Sequence, residues 1–130
     1  MIVVDASVVL EVLLRTRRGQ KIEARLFAEE QFLCAPHLLD VEVAQVLRRY
    51  ARAGDLDERR GHEALQDLAD LPIDRYPHDL LLPRVWELRE NLTAYDAVYV
   101  ALAEMLDAAL IKTDRRLADS PGHWAAIELV

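Results

Sequence analysis

Apolar positions along this chain recur at two spacings, and the changes between them divide it into short strands and longer helices. Ile2, Val3 and Val4 open it as a β-branched run that reads as a buried strand. Val8, Val9, Val12 and Leu13 follow at helical spacing. Residues 15–20 form a polar break containing Gly19, and 21–30 reads as a second helix with Ile22, Leu26 and Phe27 inward. Phe32, Leu33, Cys34 and Ala35 make the next strand, closed by Pro36. Residues 38–53 predict a long helix ended by Gly54, a residue suited to the left-handed position after a helix C-terminus. A further helix covers 57–71 and stops at Pro72. Residues 73–76 are a third strand, 79–91 and 94–106 are helical, and 109–112 and 126–130 are the last two strands.

Strands alternating with helices imply βαβ units. The expected fold is α/β and three-layered, a central and mostly parallel sheet of about five strands flanked by helices. No repeat, low-complexity tract or long linker divides the 130 residues, so 1–130 reads as a single domain. In such a sheet the ligand site lies beyond the carboxyl ends of the strands.

Composition narrows the class. Hydrophobic residues make up 52% and charged residues 30%, a globular balance that excludes disorder. The longest unbroken apolar stretch, 97–103, is far short of the roughly 18 residues of a membrane span. Met1 is not followed by a basic and then an apolar region, so no signal peptide and no membrane association are expected. The single cysteine, Cys34, excludes a disulfide framework and a cysteine zinc site, and fits the cytoplasm. Sixteen Lys and Arg against 23 Asp and Glu leave a net charge of −7, which by itself argues against a nucleic-acid binder. Positive charge is nevertheless local. Arg15, Arg17, Arg18, Lys21 and Arg25 face only Glu23 and are expected to flank the carboxyl edge. Arg48, Arg49 and Arg52 run down the exposed side of the 38–53 helix.

Four carboxylates stand where core or strand-end residues are expected. Asp5 closes the first strand and Asp114 follows the fourth. Each can N-cap the helix after it. Glu42 is a charge at the edge of the stripe made by Leu38, Leu39 and Val46. Asp96 stands likewise against Tyr99, Val100 and Ala103, and Thr93 to Asp96 can also form a capping box. Converging at the edge of the sheet, these four would raise one another's pKa unless cations were present. Oxygen ligands without His or Cys select Mg²⁺ or Mn²⁺ over zinc. Such a site suits attack of a metal-activated water at phosphorus, and a second metal, if present, stabilises the leaving oxygen.

Other groups are less informative. His37, His62, His78 and His123 show no metal-ligand spacing and read as structural. Cys34 reads as a small buried hydrophobe. Ser7 has no nucleophile elbow, but it can orient Asp5 or a water. Four glycines make no phosphate loop. The run Leu80, Leu81, Leu82 and the stripe Val8, Val9, Val12 and Leu13 exceed what one small sheet covers, which predicts a homodimer with a groove for a partner helix.

The chain resembles the PIN-domain family, in particular its VapC-type ribonuclease toxins. Ile2-Val3-Val4-Asp5-Ala6-Ser7 carries the first part of the likeness. Pro36-His37-Leu38-Leu39-Asp40-Val41-Glu42-Val43 and Leu47-Arg48-Arg49 carry the second. The most specific part is Leu92-Thr93-Ala94-Tyr95-Asp96-Ala97-Val98-Tyr99-Val100-Ala101-Leu102-Ala103, and the last is Thr113-Asp114-Arg115-Arg116-Leu117. The resemblance implies a PIN-like fold and a Mg²⁺- or Mn²⁺-dependent endoribonuclease that acts on RNA. It implies Asp5, Glu42, Asp96 and Asp114 as catalytic and metal-binding residues, a homodimer, and silencing by a VapB-type antitoxin. One departure is that Thr113 directly precedes Asp114, where family members often have one residue between, which can turn the hydroxyl away. Asp119 is a reserve for the fourth acid. The alternatives are a receiver-like signalling domain with an acidic Mg²⁺ pocket and a non-catalytic PIN-like binding module.

Overall fold

The run Ile2–Val4 forms the strand β1, and its three side chains explain the layers of the whole molecule. The computed structural model describes residues 1–28 and 30–130. After β1 come α1 (Ala6–Leu13), α2 (Arg17–Phe27), β2 (Leu33–Pro36), α3 (Leu38–Arg52), α4 (Glu58–Asp70) and β3 (Ile73–Tyr76). A 3₁₀ turn (Asp79–Leu81) leads into α5 (Leu82–Glu87) and α6 (Ala94–Leu106). The chain ends with β4 (Ala109–Lys112), a 3₁₀ turn (Arg115–Leu117) and β5 (Ile127–Leu129). The five strands pair in parallel in the order β3-β2-β1-β4-β5.

Side chains alternate across a strand, so neighbours on β1 enter different cores. Ile2 and Val4 join Leu33, Ala35 and Ile111 beneath α1 to α4. Val3 joins Cys34 and Leu110 beneath α5 and α6. Because both faces are covered, β1 and β2 read as continuous apolar runs without polar alternation. Cys34 is fully buried, as a small hydrophobe.

The order also discriminates between folds. The chain winds outward from β1 to β3 and then crosses back to place β4 on the other side of β1. A receiver-type sheet runs 2-1-3-4-5, so the receiver-like alternative does not fit. Among the described residues no helix is long and apolar enough to cross a membrane.

Three predicted features differ. The second helix begins at Arg17, within the stretch read as a break, because the Thr16 hydroxyl caps it by accepting from Gly19 N at 2.9 Å. It ends at Phe27, which is 44% exposed and not inward. Glu29, in the predicted end of that helix, lies outside the described residues. The predicted helix over 79–91 is a 3₁₀ turn and the short α5, since Leu88 N–H closes on Arg84 and Val85 together and tightens the end. Finally, Val8, Val9 and Leu13 are buried in the protomer's own core, so that stripe offers no interface. Leu80 and Leu82 remain exposed.

Gly19 is not a breaker but a close-approach residue. A Cβ there would lie 2.0 Å from the Glu11 carbonyl oxygen where α2 passes the end of α1. Gly61 in α4 is different, since a Cβ would meet only Leu56 Cδ2 at 3.5 Å. Gly19→Ala should therefore destabilise by about 1–3 kcal/mol. Gly61→Ala should stabilise by about 0.5–1 kcal/mol through helix propensity. Urea denaturation of the two variants checks the opposite signs.

Candidate active site

Strand order reverses between β1 and β4, so their carboxyl ends lie side by side with no crossover between them. Asp5 is the residue after β1 and Lys112 is the last of β4. The register pairs Val4 with Ile111, which sets these two next residues beside each other. Lys112 Nζ lies 3.0 Å from Asp5 Oδ2, and both side chains are 8% exposed. Asp5 also caps α1. Its Oδ1 accepts from Val8 N at 3.1 Å and from Ser7 Oγ at 2.7 Å. Ser7 thus orients Asp5, and the second carboxylate oxygen is left for the cation.

The other two acids come from opposite layers. Glu42 stands on α3, and Asp96 stands in the first turn of α6. Glu42 Oε1 accepts from the buried Tyr99 hydroxyl at 2.7 Å. Burial pushes the Glu42 carboxyl above its ordinary range, the Tyr99 hydrogen bond opposes this, and the charges of Asp5 and Asp96 add to the rise. Burial and Glu42 in turn push the Tyr99 phenol well above its usual range. Asp96 is half-exposed, with Oδ1 3.7 Å from Lys112 Nζ. The Thr93 hydroxyl caps α6 by accepting from Asp96 N at 3.2 Å, so the cap forms while the Asp96 carboxylate faces the lysine.

Asp5, Glu42, Asp96, Tyr99 and Lys112 line one cavity of ≈ 390 Å³, with Ser7, Arg49 and Thr113 also on its wall. Asp114 does not line it. That residue opens on a neighbouring cavity of ≈ 380 Å³, which Asp96 and Lys112 also reach. Asp114 caps the 3₁₀ turn, and the Arg116 N–H and guanidinium hold its carboxyl below the ordinary range. Asp119 is exposed and lines neither cavity. Of the basic residues, Arg49 reaches the acidic cavity, whereas no member of the 15–25 cluster does. Arg25 instead pairs with Glu128 at 2.7 Å, and Arg18 donates to the Val130 carbonyl. Of the four histidines, His78 has a structural task, its Nε2 accepting from Leu38 N at the start of α3.

Two members of the site escaped the sequence reading. Lys112 had a signal, since lysine at the end of an apolar strand is seldom buried unless it is paired. Tyr99 had none, because a tyrosine in a core stripe is ordinary.

The donor set is all oxygen, and Asp5 and Asp96 already turn toward one positive charge, so the chemistry of the residues fits a hard divalent ion. Among the described residues, no three His, Cys, Asp or Glu side chains close on one metal position. The ammonium lies between two of the acids and Tyr99 holds the third.

A family model for the PIN domain matches residues 2–122. The chain is 48% identical over 130 residues to VapC ribonuclease Mb0985 of Mycobacterium bovis, covering 100% of this chain and 98% of that protein. Among solved structures it is similar to PAE2754 from Pyrobaculum aerophilum, with a TM-score of 0.73, 26% identity, and 97% and 81% of the two chains covered. A chain of a toxin-antitoxin complex from Klebsiella pneumoniae has the same fold at 19% identity, with a TM-score of 0.71 and 98% and 96% covered.

The environment of Glu42 sets a pH dependence. Its folded pKa stands above the ordinary 4.5, so ionising it opposes folding, and the stability it contributes falls as pH rises through that window. Glu42→Gln keeps an acceptor for the Tyr99 hydroxyl and loses the charge. In EDTA the variant should melt a few degrees above wild type at neutral pH, and the two should converge as the pH falls to the ordinary glutamate range. Thermal melts across pH check this.

Proposed function

The chain belongs to the PIN-domain family, and on that premise we propose that it is a metal-dependent endoribonuclease, the toxin of a VapBC-type toxin–antitoxin pair in the cytoplasm. The observation that carries this is that Asp5, Glu42 and Asp96 line one cavity at the reversal of strand order, two of them beside the Lys112 ammonium. The full-length likeness to a VapC ribonuclease supports RNA as substrate, and the fold shared with a chain of a toxin-antitoxin complex supports an antitoxin partner of the VapB type.

Asp5, Glu42 and Asp96 are the residues that would hold Mg²⁺ or Mn²⁺, and Asp114 is the proposed fourth acid, acting from the adjoining cavity. A bound ion of this kind lowers the pKa of a water and offsets charge on a phosphate oxygen. The protein supplies the rest. Val8 N–H and Ser7 Oγ fix one oxygen of Asp5, so its second oxygen needs no reorganisation. Tyr99 fixes Glu42 Oε1, which sets the orientation of the carboxylate in the cavity. Arg49 on the rim is suited to a phosphodiester of the RNA backbone.

Exposed apolar side chains at Leu80, Leu82 and Trp86, 72%, 55% and 67% accessible, support a homodimer through the 3₁₀ turn and α5. The purified protein should scatter light as a dimer at high micromolar concentration, and Trp86→Glu should shift it toward monomer.

Cleavage is the direct test. With Mg²⁺ or Mn²⁺ the protein should cut RNA, and EDTA should stop it. Asp5→Asn, Glu42→Gln and Asp96→Asn should each lower kcat by about 100-fold or more, the usual effect of removing a group that acts in the transition state. Asp114→Asn should cost less, on the order of tenfold, because its side chain opens on the neighbouring cavity. Cleavage that persists in EDTA would refute the metal mechanism. A folded protein that binds a VapB-type partner yet cuts no RNA would return the binding-module reading.

A further inference from the structure

We propose that Lys112 is a resident cation of the acidic site, its ammonium standing between Asp5 and Asp96 and supplying positive charge that a second divalent ion would otherwise bring. The resting site then takes one divalent ion instead of two. The inference rests on the metal-dependent reading above and concerns only how the site is charged.

Geometry comes first. Lys112 Nζ is 3.0 Å from Asp5 Oδ2 and 3.7 Å from Asp96 Oδ1, so one nitrogen stands between carboxylates from different elements. Only 8% of its side chain is exposed, which fixes the ammonium in place and rules out a surface lysine that wanders in by chance. It is the last residue of β4, and pairing with Leu129 of β5 and the Val130 N–H donating to its carbonyl hold its backbone. Asp5 cannot turn away either. Its other oxygen is committed to Val8 N–H and the Ser7 hydroxyl. A divalent ion that uses Asp5 Oδ2 must therefore share that oxygen with the lysine or displace it.

Charge gives the stoichiometry. Asp5, Glu42 and Asp96 with Lys112 leave a formal charge of −2, which one divalent ion neutralises. A second ion would leave the group positive by the same amount, in a half-buried cavity where uncompensated charge is unfavourable. The remaining charged groups on the wall, Glu11 and Arg49, offset each other. Asp114 brings its own cation, with Arg116 at 3.1 Å. A fixed ammonium can do for a phosphate oxygen what a second metal does in a two-metal site, namely offset developing negative charge. Lys112 is in this sense a positioning residue for the ion and the acids.

The test is a Mn²⁺ titration of the full-length protein without RNA, followed by electron paramagnetic resonance or calorimetry. Wild type should saturate at one ion. Lys112→Met should bind Mn²⁺ about tenfold more tightly or more, and should take up a second ion, because a repelling charge within contact distance is gone. Lys112→Arg should bind as wild type does. In EDTA, Lys112→Met should melt below wild type, since three acids lose their counter-ion, and Mn²⁺ should raise its melting temperature more than that of wild type. Circular dichroism verifies the fold, and Lys112→Gln is the second neutral variant should the methionine substitution fail to fold. A purely structural lysine would lower stability and leave Mn²⁺ affinity unmoved. Equal affinity and stoichiometry in wild type and a folded neutral variant would therefore overturn the proposal, as would two ions in wild type. Binding of no Mn²⁺ by any variant would instead overturn the metal-dependent reading itself.

Discussion

Parallel pairing of β1 with β4 is the constraint on which the site depends. Parallel strands need crossovers, and crossovers cover both faces of the sheet with helices. Only at the point where the winding reverses do two strands end side by side with no connection above them. The register there, Val4 opposite Ile111, decides which side chains follow. A slip of one residue would turn Lys112 to the other face and leave Asp5 buried without a cation. The buried ion pair thus requires the register, and the hydrophobic alternation of β1 and β4 enforces it.

Around that pair the two cores of the molecule meet. α3 packs on one face of the sheet and carries Glu42 to the edge. α6 packs on the other face and carries Asp96 and Tyr99. The Tyr99–Glu42 hydrogen bond therefore ties the two layers together above the sheet, joining residues 57 apart in the chain. Its value is asymmetric. Tyr99 relieves a carboxylate that burial and two neighbouring acids destabilise, so removing the hydroxyl would leave that carboxylate under-satisfied. The same arrangement makes Glu42 the electrostatically strained member of the group, whereas Asp5 has an ammonium and two donors. Strain held at one acid and relief at another is the pattern expected where a site is kept ready for a ligand that is not always bound.

Much of this was legible in the sequence, for physical reasons that differ from element to element. The strands were legible because burial on both faces demands β-branched or apolar residues at every position, as in Ile2–Val4 and Leu33–Pro36. Asp5, Glu42 and Asp96 were legible because a charge at a core position needs a reason, and Ser7 because it lies two residues from the acid it holds. Local spacing misled where tertiary contact ruled. Gly19 looked like a break, yet it is the residue that lets α2 pass the end of α1. Val8, Val9 and Leu13 looked like spare surface, yet they are buried in the core shared by the sheet and α1 to α4. Only the three-dimensional fold could set Lys112 against Asp5, Tyr99 against Glu42, and Asp114 on the neighbouring cavity. The kind of residue at each position follows from its local pattern of burial and charge. Which residues meet across 50 or 100 positions of chain depends on strand order and register, which no local pattern encodes.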